Sequence, residues 1–198
     1  MRCGIDLAGL SFLVVDDSAF MRNAVKTVLA ELGTRRVTEA SDGGQALEQI
    51  AWDAPDIIIC DWLMKPMGGE DFMRSLRGDP TYSIATLPVI MLTSFSGRDH
   101  ALTAARLGVN EFIQKPLTPG SLARRIERIV TEDRPFIRVP GYFGPLPRAA
   151  GIDGAKLREI AQRRARERAE EEADARHMAV DAEVEAQAAI GGEATRAA

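Results

Sequence analysis

Five short runs of apolar, largely β-branched residues, each followed by a longer stretch with helical spacing, constrain this 198-residue chain more than any other feature. They are Ser11 to Val15 (SFLVV), Arg36 to Glu39 (RVTE), Asp56 to Cys60 (DIIIC), Pro88 to Leu92 (PVIML) and Glu111 to Ile113 (EFI). Strands that alternate with helices in this way build a parallel sheet buried on both faces. Five such units within about 125 residues predict one doubly wound α/β domain.

The helical stretches carry their own punctuation. From Ser18 to Leu32, the residues Phe20, Ala24, Val25, Val28, Leu29 and Leu32 recur at three- and four-residue steps, Ser18 can cap the start, and Gly33 stands where a left-handed cap belongs. Further helices are predicted over Gly44 to Ala51, Glu70 to Arg77, Asp99 to Leu107 closed by Gly108, and Pro119 to Val130 with Thr118 ahead of the proline.

After residue 132 the character changes. Residues 133–152 gather prolines and glycines around Phe136, Ile137, Tyr142 and Phe143, a composition that breaks regular structure and predicts an extended arm. Because clustered aromatics are costly in water, the arm is expected to lie on the domain or on a partner. Residues 153–188 are strong helix formers with paired charges but only four sizeable apolar residues, Leu157, Ile160, Met178 and Val180, so they predict a solvated or partner-bound helix. Residues 189–198 are expected to be disordered.

Composition narrows the classes of function. Lys and Arg number 25 against 29 Asp and Glu, a net charge of −4, so no chain-wide basic footprint for nucleic acid exists. The two cysteines, Cys3 and Cys60, offer neither a disulfide framework nor a cysteine-rich zinc site. No stretch approaches the roughly 20 apolar residues of a membrane span, and the amino terminus lacks the pattern of a signal peptide. A cytoplasmic protein without membrane insertion is expected.

Chemistry enters where acidic residues fall relative to the strands. Asp16 and Asp17 end the first strand and Asp61 ends the third. Those strands are neighbours in a doubly wound sheet, and the crevice beyond their carboxyl ends is where ligands bind. Any one of these residues alone would be read as a helix cap. Three converging carboxylates repel one another, and a hard, oxygen-seeking divalent cation such as Mg²⁺ is the natural compensation. Thr93 ends the fourth strand and Lys115 the fifth, adding a hydroxyl and a cation to the same rim. Three carboxylates, one divalent cation and one lysine sum to neutrality, so a transferred phosphoryl group would bring the charge that recruits a new donor, with Thr93 the mobile candidate.

The segments FLVVDDSAF, IIICDWLMKPMGG, PVIMLTS and NEFIQKP together resemble the response-regulator receiver domain, the CheY-like module of two-component signalling, over residues 8–132. The resemblance implies a flavodoxin-like fold with strand order 2-1-3-4-5. It implies Asp61 as the phosphoacceptor, Asp17 as a direct ligand of Mg²⁺ and Asp16 as one acting largely through water, with Asp61 and the main-chain carbonyl of Leu63 completing the metal site, and Lys115 as the partner of Asp61 and then of the phosphoryl oxygens. It also implies a cis peptide at Lys115-Pro116, and a switch pair in Thr93 and Phe112. Two departures stand out. Leu63 and Phe95 occupy places flanking the attacking water that are often polar in the family, so apolar bulk there predicts a long-lived phosphorylated state. Lys65 interrupts the usual Met-Pro step, with the proline displaced to Pro66.

For output, the resemblance implies a histidine kinase or histidine phosphotransfer protein as donor and a downstream protein as target, with motility the leading process. Self-modification is expected rather than turnover of a diffusible substrate. The tail lacks the apolar core of a helix-turn-helix, which argues against DNA. Two alternatives stay open: a phosphate sink, and a cyclic di-GMP-responsive adaptor using Arg163, Arg164, Arg166 and Arg168. The acidic run from Glu170 to Asp174 competes for those arginines and favours a salt-bridged helix instead.

Overall fold

A computed structural model describes residues 7–94, 98–132 and 134–146, with the backbone alone for residues 98–101. Five parallel strands form one sheet: β1 (Ser11–Val15), β2 (Arg36–Ala40), β3 (Ile57–Asp61), β4 (Val89–Thr93) and β5 (Glu111–Gln114), in the order β2-β1-β3-β4-β5. β3 and β4 are buried at every position and β1 at four of five, as a sheet covered on both faces requires. The edge strands β2 and β5 are only partly buried.

Side-chain alternation divides the core into two layers. Phe12, Val14, Ile57, Ile59, Ile90 and Leu92 face one way, onto Val25 and Leu29 of α1 (Ala19–Glu31) and Leu122 and Ile126 of α6 (Pro119–Thr131). Leu13, Val15, Ile58, Cys60, Val89 and Met91 face the other, onto α2 (Gly43–Trp52), α3 (Gly69–Gly78) and Ala104 of α5 (Arg98–Arg106). A short helix α4 (Tyr82–Ala85) lies between α3 and β4.

The predicted caps are in place. Ser18 accepts from the Met21 amide at 3.4 Å, and Thr118 and Ser121 form a reciprocal capping box with Pro119 in the first turn. Asp42, which the sequence reading passed over, caps α2 by accepting from the amides of Gly44 and Gln45.

The strand ends differ by a residue from expectation. Asp61 and Thr93 belong to β3 and β4, because ladder pairing of Asp61 with Leu92 and of Thr93 with Gln114 carries the sheet past its last apolar residue.

A larger correction concerns the arm. Where composition predicts irregular chain, residues 136–145 form an antiparallel hairpin of β6 (Phe136–Val139) and β7 (Tyr142–Pro145). Pro140 and Gly141 connect the strands, and Gly141 has φ +77°, the positive angle required at the third position of a type II turn. The same two residues that break helices therefore make this hairpin. It rests on the amino-terminal end of the sheet: Arg134 donates to the Asn110 carbonyl at 3.0 Å, and the ring of Phe136 lies 5.0 Å from the Arg77 guanidinium. Gly108 (φ +76°) approaches so closely that an added Cβ would sit 2.4 Å from the Phe143 carbonyl oxygen.

No helix among the described residues is long and apolar enough to cross a membrane. Phe95, residues 147–152 of the arm and the whole tail with Arg163, Arg164, Arg166 and Arg168 lie outside the described residues.

Candidate phosphoacceptor and metal site

Register brings the acidic residues together. β1 pairs with β3 through Val15 and Cys60, so Asp16, just past the end of β1, and Asp61, the last residue of β3, emerge side by side. Each of Asp16, Asp17 and Asp61 offers a carboxylate oxygen, and these oxygens lie within 4.8 Å of one another. Asp16 and Asp61 are buried and Asp17 is exposed.

Several contacts fix this arrangement. The Asp16 amide donates to the Ala40 carbonyl at 3.2 Å, and its carboxylate accepts from the Ser18 amide at 2.9 Å. Arg22, a residue the sequence reading did not select, donates to the Asp16 carbonyl at 2.7 Å and pairs with Glu39 at 3.1 Å. Its only sequence signal is a cation one turn into the helix that follows the paired aspartates.

Lys115 reaches in from beyond β5. Its ammonium donates to Asp61 at 2.8 Å and to Asp16 at 3.2 Å, while its own amide donates to the Thr93 carbonyl at 2.7 Å. That last bond ties the ends of β4 and β5 together at the rim. The peptide at Lys115-Pro116 is cis, and so is the one at Lys65-Pro66.

Burial raises the Asp61 carboxyl above the usual carboxylate range against the opposing pull of Lys115. Burial opposes the charged form of Lys115, but the hydrogen bond and charge of Asp61, with those of Asp16, outweigh it and raise the ammonium above its ordinary value. Buried carboxylates that one lysine does not fully compensate form a hard, all-oxygen donor set, and such a set fits a divalent cation. Cys60 next door is no competitor as nucleophile, because complete burial holds its thiol protonated.

The remaining predicted residues fall as follows. Thr93 is buried at the end of β4. Phe112 lies on adjacent β5, paired with Met91, and is 42% exposed. Leu63 follows Asp61 by two residues in the β3–α3 loop and is 57% exposed.

Residues 12–127 match the response regulator receiver domain, and the chain belongs to that family. The chain is 37% identical over 122 residues to the chemotaxis protein CheY1 of Helicobacter pylori, covering 61% of this chain and 97% of that protein. It is 38% identical over 120 residues to the chemotaxis protein CheY of Pseudomonas aeruginosa, covering 61% and 95%. Among solved structures, the signal receiver domain of a signal transduction histidine kinase from Syntrophus aciditrophicus superposes with a TM-score of 0.56 at 31% identity, over 62% of this chain and 91% of that one. The Vibrio cholerae chemotaxis protein CheY4 gives 0.55 at 29%, over 61% and 98%. The protein is thus a CheY-like response regulator of two-component signalling, with an acidic cluster able to hold a metal ion.

Proposed function

We propose that the protein receives a phosphoryl group on Asp61 from a histidine kinase or histidine phosphotransfer protein and signals by phosphorylation-dependent binding to a downstream protein. The observation that carries this reading is the convergence of Asp61 with Asp16, Asp17 and Lys115 at the sheet's carboxyl end. An Asp61 carboxylate oxygen attacks phosphorus in line, the P–N bond to the donor imidazole breaks with its electron pair staying on the ring nitrogen, and that nitrogen takes up a proton from solvent. Asp16, Asp17 and Asp61, with the main-chain carbonyl of Leu63, would hold Mg²⁺, which when bound supplies neutralisation of charge on the phosphoryl oxygens. Lys115 follows the charge from Asp61 to those oxygens, Thr93 closes on them, and Phe112 turns inward from its exposed position. The chain modifies itself and acts on no diffusible substrate. The relatives' role in chemotaxis supports motility as the process served, in the cytoplasm.

The test is intact-mass analysis after incubation with acetyl phosphate and Mg²⁺. Gain of one phosphoryl group in the parent and none in Asp61→Ala or without metal is the expected result. Gain in Asp61→Ala would refute the assignment. The same assay follows decay: replacing Leu63 by Asn together with Phe95 by Glu should accelerate loss of the phosphoryl group several-fold by admitting water. An unchanged lifetime would remove the shielding role from that pair.

A further inference from the structure

Edge strand β2 and helix α2 enclose an open groove of about 610 Å³, lined in part by Glu39, Gln45, Glu48, Gln49, Trp52 and Asp53. Trp52, the last residue of α2, is 94% exposed. A free indole leaves on the order of 150–250 Å² of surface in water. No folding role accounts for it, and tryptophan is among the side chains that most often carry binding energy at interfaces.

The groove's chemistry fixes the sign of its occupant. Among the described residues no Lys or Arg lines it, and no cation pairs with Glu48 or Asp53. Glu48 stands one helical turn before Trp52, so carboxylate and indole share a face, and Asp53 follows directly. The wall is preformed: Glu39 is held by Arg22 and Lys26, and the Gln49 side-chain amide (Nε2) donates to the Glu39 carbonyl at 2.6 Å. With that carbonyl of the edge strand occupied, recognition falls to side chains rather than to strand addition.

We propose that this groove docks an arginine-bearing segment of a partner protein, one guanidinium lying on the Trp52 ring and pairing with Glu48 and Asp53. A planar guanidinium stacks on an indole while its edge donates to carboxylates, a combination that no neutral or anionic segment reproduces. The site lies beside β2, at the sheet edge opposite β5, and is distinct from the acidic cluster.

The test uses the full chain labelled with 5-fluorotryptophan, which gives one ¹⁹F resonance for Trp52 and one for Trp62; the Trp52→Phe variant assigns them. Titration with acetyl-tetraarginine amide should shift the Trp52 resonance saturably and leave that of Trp62 in place, while the uncharged tetracitrulline peptide should shift neither. By calorimetry, Trp52→Ala should weaken tetraarginine binding about three- to fivefold. The pair Glu48→Gln and Asp53→Asn should weaken it comparably, whereas the remote pair Glu31→Gln and Glu127→Gln, which removes the same charge, should not. An unmoved Trp52 resonance, undiminished binding to Trp52→Ala, or equal losses from the two charge-matched pairs would each overturn the proposal.

Discussion

At the carboxyl end of the sheet Lys115 faces two carboxylates, whereas at the amino end the guanidinium of Arg77 faces carbonyl and amide oxygens. Arg77 lies in the last turn of α3 and donates to the carbonyls of Gly108, Ala85 and Leu87 and to the Asn110 side chain, at 2.8–3.2 Å. Its donors are thereby used, and burial pushes its pKa down to about 9, which still leaves it charged at neutral pH. Lys115 instead meets groups whose charge a metal ion or a phosphoryl group would change. A cation held by main-chain oxygens is a fixed joint, here binding α3, the entries to β4 and β5, and the hairpin. A cation held by exchangeable anions can change partners, which a signalling site needs.

The largest expected effect breaks the fixed end. Arg77→Ala strands the carbonyls of Gly108, Ala85 and Leu87 and should cost roughly 3 kcal/mol or more, read as a lower urea midpoint that Mg²⁺ does not restore beyond its effect on the parent. Lys115→Ala should behave in the opposite way. Its loss leaves Asp16 and Asp61 uncompensated, so the variant should be destabilised in chelator and rescued by Mg²⁺ more strongly than the parent, as a thermal melt would show. Equal responses of the two variants to Mg²⁺ would erase the distinction.

Smaller changes sharpen it. Gly108→Ala forces a side chain onto a residue at φ +76° and against the Phe143 carbonyl, at a cost of about 1–3 kcal/mol, and should speed tryptic cutting at Arg138 by loosening the hairpin. Mg²⁺ at ten times its dissociation constant should stabilise the parent by about 1.4 kcal/mol, and Asp16→Asn should reduce that gain. The smallest effect is that of pH on surface pairs. Lys26, with Arg22, holds the Glu39 carboxyl below its usual range, and the Ser11 amide and hydroxyl do the same for Asp56. Their stabilisation is complete above the ordinary carboxylate range and is lost as pH falls through the lowered values, so acid unfolding of Glu39→Gln should show a shallower pH dependence there.

Much of the site was legible because parallel strands align their carboxyl ends. Locating the apolar runs was enough to place Asp16, Asp17, Asp61, Thr93 and Lys115 on one rim. Hydrophobic spacing could not place the strand ends themselves, since Asp61 and Thr93 extend β3 and β4 through main-chain pairing to which their side chains give no clue. Helix α4 escaped notice because four residues are too few to show a period. The hairpin was hidden because Pro140-Gly141 reads equally as a breaker or as a type II turn, and pairing of the flanking residues decides between them. Arg77 gave no sign of its role for a different reason: most of its acceptors are carbonyls, which every residue carries.

The central claim is that the phosphoryl group resides on Asp61 and not on the neighbouring carboxylates. Borohydride reduces an aspartyl phosphate to homoserine, so treatment of the acetyl phosphate-reacted protein followed by peptide sequencing reads the position directly. Homoserine at position 61 alone is the predicted result. Homoserine at position 16 or 17, or at none of the three in protein that has gained the mass of a phosphoryl group, would contradict it.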